Sequence, residues 1–354
     1  MKLLVVDASR GFTDSTWLAA RWALEMRAAG EETGAVLTED PDGPPRRVYE
    51  SMAVPVLSGS IPIAADTVLL FTTIRAAPLL RRTDWADRAI WLIREGQSAD
   101  AFLATIPDRT EIASRVAAII LPERPAECSA LALLLRRVPA ERIYFVPSGS
   151  ETAPSGPVPG AASRAGPRVA MVGPVDLAGR QLDLLRAIAA AGAGYQADLI
   201  GRVGEVSDSL RRMVKENASR LRFLGELPHE QAMSVVADCH ALVVDDEDSH
   251  ASLSLIGSAA RGVVPLLADG PAFRGIWQHG RNCLIHPSGD PAILAWSLRI
   301  LAADPPLRQR LGEAARRTVS RFTVERFCEE MSRVLVDVRR GLASSPREPA
   351  RETA

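Results

Sequence analysis

The chain has 354 residues, of which 47% are hydrophobic and 24% are charged, and its formal net charge is −1. This length and composition are typical of a globular protein with two domains. The near-neutral charge argues against a dedicated nucleic-acid-binding protein, so we expect no nucleic-acid partner.

The first half alternates short apolar runs with helical patterns, as in a parallel β-sheet covered by helices. The first apolar run stops at Asp7, which is too short for a signal peptide or a membrane span, so we expect a cytoplasmic protein. A helix is predicted over 15–30, with Ser15 as its N-cap and Gly30 as its terminator. The predicted strands cover 2–7, 34–38, 67–72, 89–93, 117–122 and 143–147.

A stretch rich in Pro, Gly, Ser and Ala follows at 148–167 and has no periodicity, which is typical of a linker between domains. After it the alternation of strands and helices resumes. Strands are predicted at 168–173, 196–201, 221–225, 241–245, 263–268 and 282–287. Helices are predicted at 180–191, 207–219, 228–237, 249–262, 290–303 and 306–340.

These elements predict an α/β protein with two doubly wound, Rossmann-like parallel-sheet domains that face a cleft. We expect a helix at the C-terminus to pack back toward the N-terminal domain, and a disordered tail after it. The predicted divisions are an N-terminal domain at 1–150, a linker at 151–167, a C-terminal domain at 168–327, the helix at 328–343 and the tail at 344–354.

The stretch "SHASLSLIGSAARGVVPLLADG" (249–270) predicts a helix that leads into a buried strand. Ser249 is its predicted N-cap and Gly262 its predicted end. A helix N-terminus at a strand edge attracts phosphate through its N–H groups and its dipole. We therefore predict a phosphate site at the amides near Ser252, Leu253 and Ser254. Neither half contains G-x-G-x-x-G or a P-loop motif.

Several segments of the second half follow one another in a recognisable order, among them "RVAMVGPVDLAGRQLDLLRAI", "ADLIGRVGE" and "LRFLGELPHEQAMSVVADCHALVVDDED". Together they resemble the nucleotide-sugar domain of GT-B-fold glycosyltransferases of retaining family 4. In the first half, "IWLIREG" and "RVPAERIYFVPSG" resemble segments of the same family. The resemblance implies that a helix N-terminus, an Arg and a Lys hold the donor diphosphate. It also implies two Glu, eight positions apart, that contact the sugar and the ribose.

Carried over to this sequence, the two family glutamates correspond to Ser249 and Gly257, neither of which is a carboxylate. The loop Arg corresponds to Pro174, and the loop Lys lies near Arg180, which is still a cation. Arg202 follows a predicted strand and can replace the missing Arg. A solvated surface role is the alternative for both arginines.

In the first half, the family's His corresponds to Arg94, and the Glu that follows it is kept as Glu95. We predict that both face the acceptor and contribute to catalysis. Only Gly11 stands where the family has Gly-Gly in its first loop. The predicted donor-binding residues are Gly11, Gly173, Arg180, Arg202, Ser249, His250, Ser252, Leu253 and Ser254.

An acidic run, "DDED" (245–248), precedes this phosphate site. It is either a solvated loop or, through Asp248, a replacement for the lost Glu in contacting the sugar or a metal. Of these we favour the solvated loop, and we expect neither a metal nor a cofactor. The scattered cysteines predict reduced thiols. His229, His240, His279 and His286 are predicted in loops or at the surface, and Trp91, Trp277 and Trp296 in packing.

The resemblance implies transfer of a sugar from a nucleotide sugar to an unidentified acceptor, with retention of configuration. A second hypothesis is an inactive GT-B protein that binds a nucleotide sugar or a partner transferase. A nucleotide-sugar epimerase of the same fold ranks third, because no acid–base pair is visible. Trp17 and Trp22 give the helix 15–30 a possible peripheral membrane contact, and burial in the core is the alternative explanation.

Overall fold

The computed structural model describes residues 2–58, 64, 66–81, 83–95, 102–125, 129–151, 167–175, 180–192, 194–204, 208–244, 252–270, 273 and 275–344. The contacts within the chain divide it into two compact units. The first unit is Met1–Pro147 together with the chain from Glu325 onward, and the second is Ser148–Val324. The division therefore assigns the C-terminal helix to the N-terminal unit.

In its described part, the first unit contains a seven-stranded parallel sheet in the order β3-β2-β1-β4-β5-β6-β7. Its central strands are continuous apolar runs, as expected for strands covered on both faces. The strands are β1 (Lys2–Asp7), β2 (Glu32–Leu37), β3 (Val56–Leu57), β4 (Val68–Thr72), β5 (Ala89–Leu92), β6 (Ala118–Leu121) and β7 (Ile143–Phe145). The helices are α1 (Asp14–Ala28), α2 (Pro44–Ser51), α3 (Thr83–Ala86), α4 (Arg109–Arg115) and α5 (Ala130–Leu135).

The described part of the second unit contains a six-stranded parallel sheet in the order β10-β9-β8-β11-β12-β13. Its strands are β8 (Arg168–Val172), β9 (Gln196–Ile200), β10 (Leu221–Gly225), β11 (Ala241–Val244), β12 (Val264–Ala268) and β13 (Leu284–His286). Its helices are α6 (Arg180–Ala191), α7 (Asp208–Glu216), α8 (His229–Ala237), α9 (Leu253–Ala260), α10 (Pro291–Ala303) and α11 (Pro305–Val319). The two sheets confirm the predicted pair of parallel α/β domains.

Side-chain hydrogen bonds tie the C-terminal helix α12 (Val324–Ser344) to the rest of the first unit, among them a bond from the Tyr144 hydroxyl to Asp337 at 3.5 Å. The Trp22 indole donates to the Ser332 hydroxyl at 3.2 Å. The Arg339 guanidinium donates to both carboxylate oxygens of Glu31, at 2.7 and 2.9 Å. A bidentate pair of this kind fixes the orientation of both side chains.

The helical region predicted over 306–340 is divided into α11 and α12, with the division at residues 320–323 and not at 327. Ser150 donates its N–H to the Phe322 carbonyl, and the Val324 N–H donates to the Ser150 carbonyl, both at 3.1 Å. A Cβ on Gly149 would lie 2.1 Å from the Thr323 carbonyl oxygen. Pairing with a distant segment thus replaces the helical hydrogen bonds at this point.

Some local predictions need correction. The N-cap of α1 is Thr13 and not Ser15, because the Thr13 hydroxyl accepts from the Thr16 N–H at 3.1 Å. Trp296 is 47% exposed, whereas it was predicted to pack. His240 and His286, which were predicted in loops or at the surface, are buried.

Other predictions hold or fall outside the described residues. Trp91 and Trp277 are buried, as are Trp17 and Trp22, which favours the core explanation for α1. Three cysteines, Cys239, Cys283 and Cys328, are buried free thiols. Most of the predicted linker, the tail from 345, Cys128 and the run 245–248 lie outside the described residues. None of the described helices has the length and hydropathy of a membrane span.

Candidate functional site

Two glycines bring the ends of β8 and β9 close together. Gly173 directly follows β8 and donates its N–H to the Ile200 carbonyl at 2.9 Å. A Cβ on Gly201, which directly follows β9, would lie 1.8 Å from the Gly173 carbonyl oxygen. Only glycine fits at 201, because no side chain can occupy that space.

The loops beyond these glycines are also paired. The Val175 N–H donates to the Arg202 carbonyl, and the Gly204 N–H donates to the Val175 carbonyl, both at 2.9 Å. Gln181, in the first turn of α6, donates to the Pro174 carbonyl at 2.8 Å. The backbone of the β8 loop is therefore held from both sides, by the β9 loop and by α6.

Of the two cations predicted for the diphosphate, Arg202 is exposed at the carboxyl end of β9. Arg180 is the first residue of α6, although its side chain lies outside the described part. Both positions therefore lie beyond the carboxyl ends of adjacent strands, where ligands of doubly wound sheets bind.

The third segment of the candidate site is the start of α9, after β11. Ser252 is the N-cap, and its hydroxyl accepts from the Leu255 N–H at 3.2 Å. The Ser252 and Ser254 hydroxyl oxygens are 3.3 Å apart. The helix thus begins at Leu253, so the prediction of Ser249 as N-cap is wrong. Ser249 itself, His250 and the acidic run lie outside the described residues.

The order of the sheet places these three segments side by side. β8 pairs with β9 on one side and with β11 on the other. The loop after β8, the loop after β9 and the start of α9 therefore follow neighbouring strands of one sheet edge. Such an edge offers backbone N–H groups, hydroxyls and a helix dipole to an anion.

The position of the second family glutamate, Gly257, is tightly packed inside α9. A Cβ there would lie 2.7 Å from the Met233 sulfur and 3.1 Å from the Ser150 hydroxyl oxygen. The Ser150 hydroxyl is buried and has no hydrogen-bond partner among the described residues. Both neighbours are side-chain atoms, so a residue larger than glycine at 257 requires them to shift.

The corresponding loop of the first unit is organised by Asp7, which sequence reasoning missed. Its buried carboxylate accepts from the Thr72 hydroxyl at 2.8 Å, the Tyr49 hydroxyl at 2.7 Å and the Ser9 N–H at 2.8 Å. These bonds fix the loop that leads to the buried Gly11. The signal available in the sequence was an Asp at the end of an apolar strand.

The two predicted catalytic residues, Arg94 and Glu95, follow β5. Glu95 accepts the N–H of Ile74 on one carboxylate oxygen and that of Arg94 on the other, both at 3.0 Å. Burial raises the pKa of Glu95 although these bonds favour its charged form. Thr73, beside Ile74, has a φ of +68°, which is costly for a β-branched residue. Glu95 therefore holds this turn in place.

Arg94 lies in a small cluster of charges. Its guanidinium donates to the Val146 carbonyl at 3.4 Å. Burial lowers its pKa to about 10, while Asp14, Glu95 and Glu123 favour its charged form. Glu123, just after β6, was also missed: burial raises its pKa to about 7, and Arg94 opposes that shift. A carboxyl group with such a pKa exchanges protons near neutral pH.

Residues 167–318 match the family model of glycosyl transferases group 1. This group 1 region contains all three segments of the candidate site. The O-antigen biosynthesis protein RfbC of Myxococcus xanthus is 29% identical over 171 residues. The match covers 48% of this chain but only 12% of RfbC.

Solved structures are similar to this chain over nearly its whole length, and not only over residues 167–318. Anabaena HepE in complex with UDP-glucose has a TM-score of 0.73 at 15% identity, covering 95% of this chain and 99% of that one. Sucrose-phosphate synthase of Thermosynechococcus elongatus has a TM-score of 0.66 at 15% identity, covering 98% and 100%. A glycosyltransferase of Rickettsia africae has a TM-score of 0.66 at 10% identity, covering 95% and 98%. At these identities the likeness shows the fold, and it confirms the GT-B class.

Proposed function

We propose that this protein is a glycosyltransferase that transfers a hexose from a nucleotide-sugar donor to an acceptor hydroxyl. The group 1 match over 167–318 carries the proposal, because it covers the sheet edge built from the β8 loop, the β9 loop and α9. Since HepE was solved with UDP-glucose, a UDP-sugar is the first donor to test. The acceptor is a glycan, a lipid-linked sugar or a small molecule.

In this proposal the donor diphosphate lies at the N-terminus of α9. The amides of Leu253 and Ser254 and the hydroxyl of Ser252 contact one phosphate, and Arg180 and Arg202 balance the remaining charge. The bond between the sugar C1 and the phosphate oxygen breaks, a bond from C1 to the acceptor oxygen forms, and the acceptor's proton passes to the departing diphosphate. Charge develops on the departing diphosphate, so these cations and N–H groups lower the barrier. Retention of configuration and membership of family 4 rest on the sequence resemblance.

The remaining predicted residues have supporting roles in this proposal. Gly173 and Gly11 allow close backbone approach at the ends of β8 and β1, and Ser249 and His250 precede α9. We assign Arg94 to the acceptor side and Glu95 to positioning its turn. We propose that no metal takes part.

An inactive nucleotide-sugar-binding protein, or one that binds a partner transferase, is the second candidate. The glycine at 257 favours it, because glycine supplies no carboxylate where the resemblance implies a glutamate that contacts the donor. The enzyme and the inactive nucleotide-sugar-binding protein share donor binding and differ in turnover. Peripheral contact with the inner face of a membrane is an untested part of either proposal.

The first test is calorimetric titration of the purified protein with UDP and UDP-hexoses. We expect saturable binding that weakens about tenfold in Arg180→Ala and in Arg202→Ala, since each removes a charge-assisted contact. Arg186→Ala is the matched control, because Arg186 lies on the same helix and pairs with Asp183 at 3.1 Å. Absence of binding by any nucleotide or nucleotide sugar would contradict the enzyme and the inactive nucleotide-sugar-binding protein, and would leave only the protein that binds a partner transferase. Release of UDP in the presence of an acceptor extract separates the enzyme from the inactive protein.

A further inference from the structure

A second concavity of the second unit is lined by three arginines and, among the described residues, by no acidic one. It encloses about 530 Å³ between α11 and the loop before β13. Its lining residues in the described part of the chain are Ile276, Gln278, Arg281, Asn282, Arg310, Ala314, Arg317 and Thr318. We propose that this basic pocket binds a compact oxyanion of the phosphate class, separately from the donor site.

One wall of the basic pocket is a face of α11. Arg310, Ala314 and Arg317 occupy positions i, i+4 and i+7, which lie on the same side of a helix. At a rise of about 1.5 Å per residue, the two arginine Cα atoms are separated by roughly 10 Å along the axis. Ala314 between them is small and leaves room for a ligand that both guanidinium groups reach.

The opposite wall is a loop held rigid by Asn282, which is 7% exposed. Its carbonyl oxygen accepts from the Gln278 N–H at 2.7 Å. Its amide nitrogen donates to the Ile276 carbonyl and to the Thr318 hydroxyl, both at 2.9 Å. The last of these bonds ties the loop to α11, so the shape of the pocket is fixed before a ligand arrives.

Two of the three guanidinium groups are already oriented. Arg281 donates to the Gln278 side-chain oxygen at 2.8 Å, and Arg310 donates to the Gly280 carbonyl at 3.1 Å. Each of these bonds uses one of the five N–H donors of an arginine. The other donors can form the paired, charge-assisted bonds that phosphate oxygens accept.

Ion pairs with the described carboxylates do not offset the positive charge of the pocket. Among the described residues, Arg281, Arg310 and Arg317 form no ion pair, whereas arginines such as Arg222, Arg81 and Arg10 pair with carboxylates. The α11 dipole accounts for Arg317 in the last turn, but it does not explain Arg281 in the loop. Three like charges around one concavity repel one another, and an anion relieves that repulsion.

The basic pocket does not depend on the proposed function. None of the predicted donor-binding residues lines it. The donor site follows β8, β9 and β11, whereas this pocket lies between α11 and the loop that enters β13. Loss of one site should therefore leave binding at the other unchanged.

The test is calorimetric titration of the full chain with inorganic phosphate against sodium chloride of equal ionic strength. We expect saturable phosphate binding that weakens at least about tenfold in R281Q/R317Q, because two charge-assisted contacts are lost. Arg211→Gln is the matched control, since Arg211 is exposed on α7 and lies outside the pocket. An unchanged melting temperature and unchanged UDP titration of the double variant show that it is folded.

A second arm identifies where the phosphate comes from. Wild type, R281Q/R317Q and Arg211→Gln are each tested by flotation with vesicles of phosphatidylglycerol and phosphatidylcholine, and with vesicles of phosphatidylcholine alone. Binding to the anionic vesicles that R281Q/R317Q loses supports the proposal with a lipid headgroup as the ligand. Phosphate binding without vesicle binding supports it with a soluble phosphorylated compound. If neither assay separates the double variant from wild type and Arg211→Gln, the proposal is overturned.

Discussion

At the scale of single residues, Gly201 allows the backbone after β9 to approach the backbone after β8 at the candidate donor site. A Cβ at this position would lie 1.8 Å from the Gly173 carbonyl oxygen, and backbone cannot move aside as a flexible side chain can. We expect Gly201→Ala to lower the free energy of unfolding by about 3 kcal/mol, the upper part of the range for overpacking.

The control for that substitution is Gly341→Ala, in α12. No heavy atom lies within 4 Å of the added Cβ, and the backbone is helical. Here alanine should stabilise the protein by about 0.5–1 kcal/mol through its better helix propensity. Denaturant titrations of both variants measure the two effects. Equal midpoints would show that the strand ends are not held together as described.

Glu123 gives a residue-scale prediction about pH. Burial raises the pKa of Glu123 from 4.5 to about 7 in the folded protein. Between these two pH values the folded state therefore keeps a proton on this carboxyl group that the unfolded state has released. Its contribution to stability is therefore present below pH 4.5 and is lost as the pH rises toward 7.

Glu123→Gln should remove this contribution. The difference in unfolding free energy between wild type and variant should thus change between pH 4.5 and 7 and be level on either side. Urea titrations across this range measure it. A difference that does not vary with pH would mean that Glu123 is not desolvated in the folded state.

At the scale of elements, the sequence predicted most helices and strands to within a few residues. Apolar runs and their period decide the existence of an element, and β1 and α6 were predicted with their observed bounds. Helix starts were predicted less well, because several polar residues compete for the cap. Ser249 and Ser252 are equally good caps by type, and only the hydrogen bond to Leu255 decides for Ser252.

The break between α11 and α12 was beyond sequence reasoning for a different reason. Its cause is pairing of Phe322 and Val324 with Ser150, which is distant along the chain. The same limit applies to the site: Arg94 and Glu95 were found by resemblance. Asp7 and Glu123 become visible only when neighbouring strand ends are placed together.

At the scale of the whole molecule, the first unit is assembled from both ends of the described chain. Six apolar side chains of α12 are buried there: Phe327, Cys328, Met331, Val334, Leu335 and Val338. At about 2 kcal/mol for each buried side chain, they contribute on the order of 10 kcal/mol. That is comparable to the total stability of a domain, which is about 5–15 kcal/mol.

A chain that ends at Thr323 should therefore lose the folded first unit and keep the second. We expect its thermal unfolding, followed by circular dichroism, to show one cooperative transition that UDP still raises if the donor site is as proposed. Arg340→Ala is the control, because the Arg340 side chain is 78% exposed on the same helix and should leave the profile unchanged. A truncated chain that keeps the full profile would show that residues 1–147 form a domain without α12. The boundary between the two domains would then be the linker, and α12 would pack on the first domain without being needed for its hydrophobic core.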